Sequence, residues 1–354
     1  MLKEILAERG VPAVWDGERD WESRRREILD TLLKEEYGYL PAAPGNLRFD
    51  EQKEDYFSVN FCAGHACLRN VSCIFTLNGK EFKFPFRAVI PRNKEKIPFF
   101  IHINFSPDVP DKYLPAEELV DNGFAVLSFG YKDITSDDED MTTGLAGVVF
   151  DGKKPEGSDP GKIALWAYAA QRVMDYAMTL PELDPAHSAV CGHSRLGKTA
   201  LLCGATDTRF ACAISNDSGC CGAAIFRDKE GETIENITQR FPYWFCPGFS
   251  RYSGREKELS FDQHFLVAAM APRRVFVGSA MEDTWADPSS EFLSCVAAGG
   301  VWEKLGLPGF PCEDALPKQP TAVFGGYVGY HLREGRHFFS RNDWHRYMEF
   351  LRSF

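Results

Sequence analysis

The sequence has no long uninterrupted run of apolar residues, whereas a membrane-spanning helix needs about 20 of them. Its first nine residues, MLKEILAER, mix apolar with charged side chains and do not form the apolar stretch of a secretory signal. We therefore expect no membrane partner. We also expect a cytoplasmic location, or a secreted protein if a signal peptide has been removed.

Basic residues are also scarce, since 40 Lys and Arg stand against 51 Asp and Glu and leave a formal net charge of -11. The short basic run Arg24-Arg25-Arg26 has a glutamate on each side, at Glu22 and Glu27. Nucleic-acid binding normally requires a concentrated basic surface. We therefore interpret the run as the solvated face of a helix and expect no nucleic-acid partner.

Internal repeats, low-complexity tracts and a convincing linker are all missing. The stretch 132–160, rich in Asp and Gly, is interpreted as a long loop and not as a domain boundary. We predict one domain over residues 1–354, with a helical N-terminal extension at 1–46 and a catalytic core at 47–354. The oligomeric state stays open.

The cysteines lack the paired spacing of a zinc site, although there are eleven of them. Cys220 and Cys221 are adjacent, while Cys191, Cys203 and Cys212 lie in apolar runs. These features predict small buried thiols and neither disulfides nor a metal site. No cofactor is expected.

The hydrophobic pattern changes its period along the chain. Residues 17–39 have apolar positions at helical spacing, and residues 47–105 have short alternating runs with a hairpin signal at Asn78-Gly79. Beyond residue 96, segments typical of strands alternate with segments typical of helices: strands at 98–105, 123–131, 188–191, 210–215 and 274–280, and helices at 161–180, 195–205 and 343–354. This order predicts an α/β fold of three layers, whose mostly parallel sheet has helices on both faces and an antiparallel N-terminal part.

The segment Gly192-His193-Ser194-Arg195-Leu196-Gly197 places a serine where a short strand passes into a helix. Such a junction is typical of the nucleophile of α/β-hydrolases, although Gly-x-Ser-x-x-Gly is one residue longer than the usual Gly-x-Ser-x-Gly. A serine that only caps the helix is the simplest alternative. Residues 192–199 also match the phosphate-binding pattern Gly-x4-Gly-Lys-Thr, but this loop has no glycine between its ends.

A nucleophilic serine needs a base and an acid that orients the base, and in this fold they follow in the order acid, then histidine. Two acids lie just beyond predicted strands, Asp217 and Asp283. The candidate bases are His331 and His337, both before the last helix. The residues alone leave both choices open.

Several separate motifs, in the right order, resemble the bacterial branch of the glucuronoyl esterases, carbohydrate esterase family 15, of the α/β-hydrolase superfamily. The resemblance covers roughly residues 95–354 and lies in these segments: GHSRLGK at 192–198, NDSG at 216–219, YWFC at 243–246, DQH at 262–264, APR at 271–273, DTWADP at 283–288 and HLREGRH at 331–337.

The resemblance implies that Ser194 attacks the ester, His337 is its base and Arg195 contacts the oxyanion. Family members place the triad acid at either of two positions, which match Asp217 and Asp283. Because the earlier position often holds glutamate in the family, we favour Asp283. The fungal members' disulfide beside the triad cannot form here, since His193 and Phe338 occupy the corresponding positions.

For the substrate, the resemblance implies a sugar pocket lined by Lys198, Glu232 and Trp285. The implied reaction is hydrolysis of esters of 4-O-methyl-glucuronic acid, in xylan–lignin or in derived oligosaccharides, through an acyl-enzyme. One alternative is an esterase for acetylated xylan or another carbohydrate ester. A second is a scaffold that binds carbohydrate without catalysis, against which the intact Ser, His and acid argue.

Overall fold

The computed structural model describes residues 1–53, 55–92 and 94–354, and its centre is one sheet of ten strands. The strand order across the sheet is β1-β2-β3-β5-β4-β6-β7-β8-β10-β9. The strands are β1 Arg48–Glu51, β2 Ala66–Leu77, β3 Lys80–Pro91, β4 Ile97–Asn104, β5 Ala125–Gly130, β6 Leu183–His193, β7 Cys212–Asn216, β8 Arg274–Ala280, β9 Thr321–Val323 and β10 Val328–Arg333.

The sheet changes strand direction where its N-terminal part meets the rest. Strands β1, β2, β3 and β5 are antiparallel neighbours, whereas β5, β4, β6, β7, β8 and β10 run parallel. The β2–β3 hairpin turns at Asn78-Gly79, with Leu77 opposite Lys80, and both turn residues have positive φ. Asparagine and glycine tolerate that conformation best, which explains why the turn forms there.

Helices cover both faces of the sheet. They are α1 Leu2–Glu8, α2 Trp21–Leu32, α3 Tyr56–Val59, α4 Ala116–Asp121, α5 Gly144–Phe150, α6 Lys162–Ala177, α7 Arg195–Thr206, α8 Ile234–Arg240, α9 His264–Ala268, α10 Pro288–Lys304 and α11 Arg341–Leu351. None of the helices in the described ranges is long and apolar enough to cross a membrane.

Two hydrophobic cores lie on opposite faces of the sheet. Adjacent residues of one strand serve different cores: Ile101 packs with α6, α7 and α10, whereas Phe100 packs with α4 and α11. Alternation of this kind follows from the two-residue period of a strand. Central parallel strands are therefore mostly apolar, as the entirely buried β5 is apart from Ser128.

The N-terminal helices belong to the larger of these cores. Trp21 and Ile28 of α2 are buried in it, and Arg25 lies beneath them with hydrogen bonds to the carbonyl oxygens of Ala269 at 2.7 Å and Ala205 at 2.6 Å. The sequence predicted that the basic run lies on a solvated helix face. Arg24 and Arg26 do so at least in part, but Arg25 is buried.

The structure confirms the predicted α/β class and most of the predicted elements, with one correction. The segment 132–160 is not a continuous loop, because it contains α5. Two glycines and two adjacent valines give this segment a low helix propensity. Packing overrides propensity here, since Leu145, Ala146 and Phe150 are buried. Nine of the eleven cysteines are buried, as predicted for small apolar side chains, the exceptions being Cys62 and Cys312.

Candidate active site

Ser194 occupies the tight turn between β6 and α7. Its backbone has φ 59° and ψ -126°, a conformation that residues other than glycine rarely adopt. The turn is held because the Ser194 N–H donates to the carbonyl oxygen of Asn216 at 2.8 Å. The strained backbone projects the hydroxyl away from the sheet at the carboxyl end of β6, as a nucleophile elbow requires.

The two glycines of the motif permit this turn by close approach. A Cβ atom at Gly192 would lie 2.2 Å from the carbonyl oxygen of Leu196, and one at Gly197 would lie 3.1 Å from the carbonyl oxygens of Gly192 and Asn216. Gly197 therefore permits the same close packing as the second glycine of the usual Gly-x-Ser-x-Gly motif. It lies one residue later, in the first turn of α7.

His337 follows β10 and lies against Asp283, which follows β8. The His337 Nδ1 to Asp283 Oδ2 distance is 2.6 Å, and the Asp283 side chain is 5% exposed, against 43% for His337. Burial alone would raise the pKa of Asp283, but the hydrogen bond and the charge of His337 outweigh it and lower that pKa below the usual value. The arrangement suits an ionised carboxylate that holds the imidazole with Nε2 free.

Asp217 follows β7 and has a different partner. Its Oδ2 accepts a hydrogen bond from Arg333 Nη2 at 3.0 Å, while its Oδ1 is buried and unpaired within the described chain. Burial raises the pKa of Asp217, and Arg333 opposes that rise. The other histidine candidate, His331, is buried, its Nε2 lies 2.9 Å from Asp343 Oδ1, and it does not line the cavity that contains His337.

His193, Asp217 and His337 form the one group of possible metal ligands in the described ranges, with donor atoms within 4.8 Å of one another. Some of the donor atoms are already engaged, since His193 Nδ1 lies 2.7 Å from Asn216 Oδ1 and Asp217 Oδ2 accepts a hydrogen bond from Arg333. A neighbouring guanidinium repels a metal ion. The chemistry of the group therefore fits a hydrogen-bonded site better than a metal centre.

Arg195 is the first residue of α7, so that its backbone N–H has no acceptor inside the helix. Its guanidinium forms an ion pair with Asp137 through Nη1. The guanidinium carbon lies 4.6 Å from the ring centre of Trp244 and 5.3 Å from that of Phe241. Arg195 thus brings one backbone donor and one charged side chain to the same turn as Ser194.

Lys198, one turn further along α7, is buried and bound to backbone oxygens. Its Nζ donates to the carbonyl oxygens of Ser218 at 2.5 Å and Cys220 at 2.6 Å, and lies 3.7 Å from Glu232 Oε2. Trp285, in contrast, is 50% exposed. A buried cation and carboxylate side by side can accept and donate hydrogen bonds to the hydroxyl groups of a sugar.

These side chains meet in one cavity of about 320 Å³, which we call the active-site cavity. It brings together all eight residues to which the family resemblance assigned a place in the site, namely Ser194, Arg195, Lys198, Asp217, Glu232, Asp283, Trp285 and His337. No hydrogen bond between Ser194 and His337 is formed in the described chain, which is common in unliganded enzymes. The roles assigned to these residues stay predictions.

Sequence reasoning missed much of the cavity wall and the partner of Arg195. The wall also contains Ser218, Gly219, Arg240, Phe241, Trp244 and Ala286. Trp244 belongs to a quoted motif but received no role, and Asp137 lies 58 residues before Arg195 in a segment interpreted as a loop. Only the unexplained acidity of that segment could have drawn attention to Asp137.

Residues 74–306 match the family described as "Glucuronyl esterase, fungi". A carbohydrate esterase of an unknown prokaryotic organism is 42% identical over 236 residues, which are 66% of this chain and 54% of that relative. The 4-O-methyl-glucuronoyl methylesterase of Schizophyllum commune is 28% identical over 301 residues, which are 82% of this chain and 70% of the relative. The chain thus spans about half the length of the first relative.

Solved structures agree over nearly the whole chain. A glucuronoyl esterase from Solibacter usitatus superimposes with a TM-score of 0.88 and 30% identity, covering 97% of both chains. A promiscuous family 15 esterase from a marine bacterial metagenome has a TM-score of 0.82 and 32% identity, covering 94% of this chain and 91% of its own. The resemblance and the α/β-hydrolase fold expected from the sequence are thereby confirmed, and the chain belongs to the glucuronoyl esterase family, the carbohydrate esterases of family 15.

Proposed function

We propose that this chain is a serine carboxylic ester hydrolase that cleaves esters of (4-O-methyl-)glucuronic acid, carried by a small molecule or an oligosaccharide. The observation that carries the proposal is the convergence of Ser194, the His337–Asp283 pair and the Lys198–Glu232 pair in one cavity. Family membership supports the same reaction.

Ser194 Oγ attacks the ester carbonyl carbon and passes its proton to His337 Nε2. His337 becomes an imidazolium, which the Asp283 carboxylate stabilises through Nδ1. The tetrahedral intermediate collapses when the C–O bond to the alcohol breaks and His337 returns the proton to the leaving oxygen. A water molecule then hydrolyses the acyl-enzyme by the same steps, which yields the free uronic acid and regenerates Ser194.

The negative oxygen of each intermediate lies, in this proposal, at the start of α7. The free N–H of Arg195 and its guanidinium are the two donors, and the helix N-terminus adds a favourable dipole. Since this charge exists only in the intermediates and in the transition states that lead to them, donors fixed in advance accelerate the reaction more than they tighten substrate binding.

We assign the sugar to Lys198, Glu232 and Trp285. Lys198 and Glu232 are buried, and the 3.7 Å between Lys198 Nζ and Glu232 Oε2 leaves both groups hydrogen-bonding capacity that sugar hydroxyl groups can use. The exposed ring of Trp285 gives an apolar wall at the mouth of the cavity.

Hydrolysis of benzyl glucuronate, 4-nitrophenyl acetate and acetylated xylan by the purified protein tests the proposal. We expect kcat/KM for benzyl glucuronate to exceed that for 4-nitrophenyl acetate, with labelling of Ser194 by a fluorophosphonate. Preference for acetyl esters would assign the site to another acyl group. Absence of both turnover and labelling would leave a scaffold that binds carbohydrate without catalysis.

A further inference from the structure

Asp137 connects Arg195 to the wall of the active-site cavity. Its Oδ2 accepts from the Tyr131 hydroxyl at 2.9 Å and forms the ion pair with Arg195 Nη1, while its Oδ1 accepts from Trp244 Nε1 at 2.7 Å. The Asp137 side chain is 6% exposed. Both of its oxygens are therefore used, and the carboxylate has little freedom to move.

The loop that carries Asp137 is fixed by a buried ammonium group. Lys162 Nζ, at the start of α6, donates to the carbonyl oxygens of Ser136 and Asp140, each at 2.8 Å, and to Ser136 Oγ at 3.0 Å. Its side chain is completely buried. Backbone on both sides of Asp137 is thus bound to one cation, so that the position of the carboxylate is set by α6 and not by the loop alone.

The ion pair with Asp137 leaves part of the Arg195 guanidinium without a hydrogen-bond partner in the described residues. Nη1 is committed to Asp137, whereas Nε has no hydrogen-bond partner in the described chain and none is formed by Nη2. The ring of Trp244 lies against the guanidinium plane at 4.6 Å. Nε is buried, so a carboxylate at Nη1 and an indole on one face leave Nη2 as the donor in a defined orientation at the cavity.

We propose that Asp137 is a positioning residue, which holds the Arg195 guanidinium in the orientation that stabilises the oxyanion. The inference rests on the proposed role of Arg195. A free arginine side chain loses rotamer entropy when it is fixed. Because Asp137 fixes it before the substrate binds, that cost does not add to the barrier of the chemical step.

Asp137→Asn is the first test. The amide would keep the size of the side chain but replace one acceptor with a donor, so that Trp244, Tyr131 and Arg195 can no longer all be satisfied. We expect kcat on benzyl glucuronate to fall roughly tenfold to a hundredfold, with KM changed less than about threefold. Glu139→Gln is the matched control, since it removes an exposed charge from the same loop and should leave kcat unchanged.

The decisive measurement is a double-mutant cycle with Arg195→Met. If Asp137 acts through Arg195, adding Asp137→Asn to Arg195→Met should cost little further kcat, because the group to be positioned is already absent. A purely structural role of Asp137 would instead reduce kcat by the same factor in both backgrounds. That additive result, or normal kcat in a folded Asp137→Asn protein, overturns the proposal.

Tyr131→Phe keeps the proposal testable if Asp137→Asn fails to fold. It removes one donor to Asp137 Oδ2 outside the active-site cavity, and a smaller fall in kcat, again absent in the Arg195→Met background, is expected. Normal kcat in this variant would count against the proposal. Failure of the proposed oxyanion role is distinguishable, since Arg195→Met alone would then have normal kcat.

Discussion

Arg333 donates a hydrogen bond to Asp217, so that the second acid beside His337 has a cation of its own. Arg333 also binds both carboxylate oxygens of Asp343 at 3.0 Å and thereby ties α11 to the end of β7. Asp283 has no such cation, and its Oδ2 faces His337 Nδ1 alone. The partners of the two acids thus differ, which separates their expected roles.

Asp283→Asn should lower kcat by about three to four orders of magnitude, because an amide cannot stabilise the imidazolium and favours the wrong tautomer. Asp217→Asn, its matched control, should change kcat less than about tenfold, since it removes no partner of His337. Steady-state kinetics on benzyl glucuronate compare the two. A larger loss for Asp217→Asn would reverse the assignment of the triad acid.

Ser194→Ala should abolish ester hydrolysis and fluorophosphonate labelling without unfolding the protein, because only the attacking hydroxyl is removed. Ser194→Gly should be equally inactive but more stable than Ser194→Ala by about 1 kcal/mol, since glycine adopts positive φ without strain. Chemical denaturation compares the two variants. Equal stability would show that the turn at φ 59° stores no strain.

Arg195→Met should lower kcat by about a hundredfold to a thousandfold with little effect on KM, as loss of an oxyanion donor does. Methionine keeps the backbone N–H and much of the apolar stem that lies on Trp244. Initial rates over a range of benzyl glucuronate concentrations separate the two parameters. A loss confined to KM would assign Arg195 to substrate binding instead.

Lys198→Met and Glu232→Gln should each reduce the preference for benzyl glucuronate over 4-nitrophenyl acetate. Lys198→Met removes a donor to the sugar, and Glu232→Gln replaces one acceptor oxygen with a donor, whereas an acetyl group forms no hydrogen bond with either side chain. Glu230→Gln, an exposed glutamate two residues away, is the control. An unchanged ratio of kcat/KM values in both variants would place the sugar elsewhere.

The stability of the protein should depend on pH through Glu291. This carboxyl is completely buried, and burial raises its pKa from 4.5 to about 7, although Ser279 Oγ and the Gly219 N–H donate to it. Because the folded pKa is the higher one, its contribution is fully present below pH 4.5 and is lost as the pH rises towards 7. The loss is on the order of 3 kcal/mol, since each pH unit between two pKa values corresponds to about 1.4 kcal/mol.

Denaturation curves of wild type and Glu291→Gln at pH 4.5 and pH 7 measure this difference. The free energy of unfolding of wild type should fall relative to that of the variant as the pH rises. Glu303→Gln, which changes an exposed acid on the same helix, should follow wild type. Parallel pH profiles for wild type and Glu291→Gln would contradict the prediction.

Local signals predicted much of this structure. The Asn78-Gly79 hairpin turn depends only on its own two residues, and β8 has the bounds 274–280 that its local sequence predicted. Ser194 and Asp283 could be placed at one edge of the sheet, because each follows a predicted strand and the ends of parallel strands meet there, whereas only the family resemblance selects His337.

Contacts between distant segments could not be predicted in this way. Asp137 and Arg195 pair only because the loop after β5 folds onto the start of α7, and no local pattern encodes that approach. Helix α5 depends on the burial of its apolar side chains, which outweighs two glycines in its sequence. Asp217 and Asp283 are equivalent by position after a strand, and they are distinguished only by the folded positions of Arg333 and His337.

The two outermost strands of the sheet are its shortest. β1 has four residues, three of them charged, and β9 has three. Exposed strand edges are where a second chain can add its own strand, and short or charged edges offer few free backbone groups for that pairing. Both edge strands of the ten-stranded sheet therefore disfavour edge-to-edge aggregation. We expect the protein to resist this kind of aggregation at high concentration.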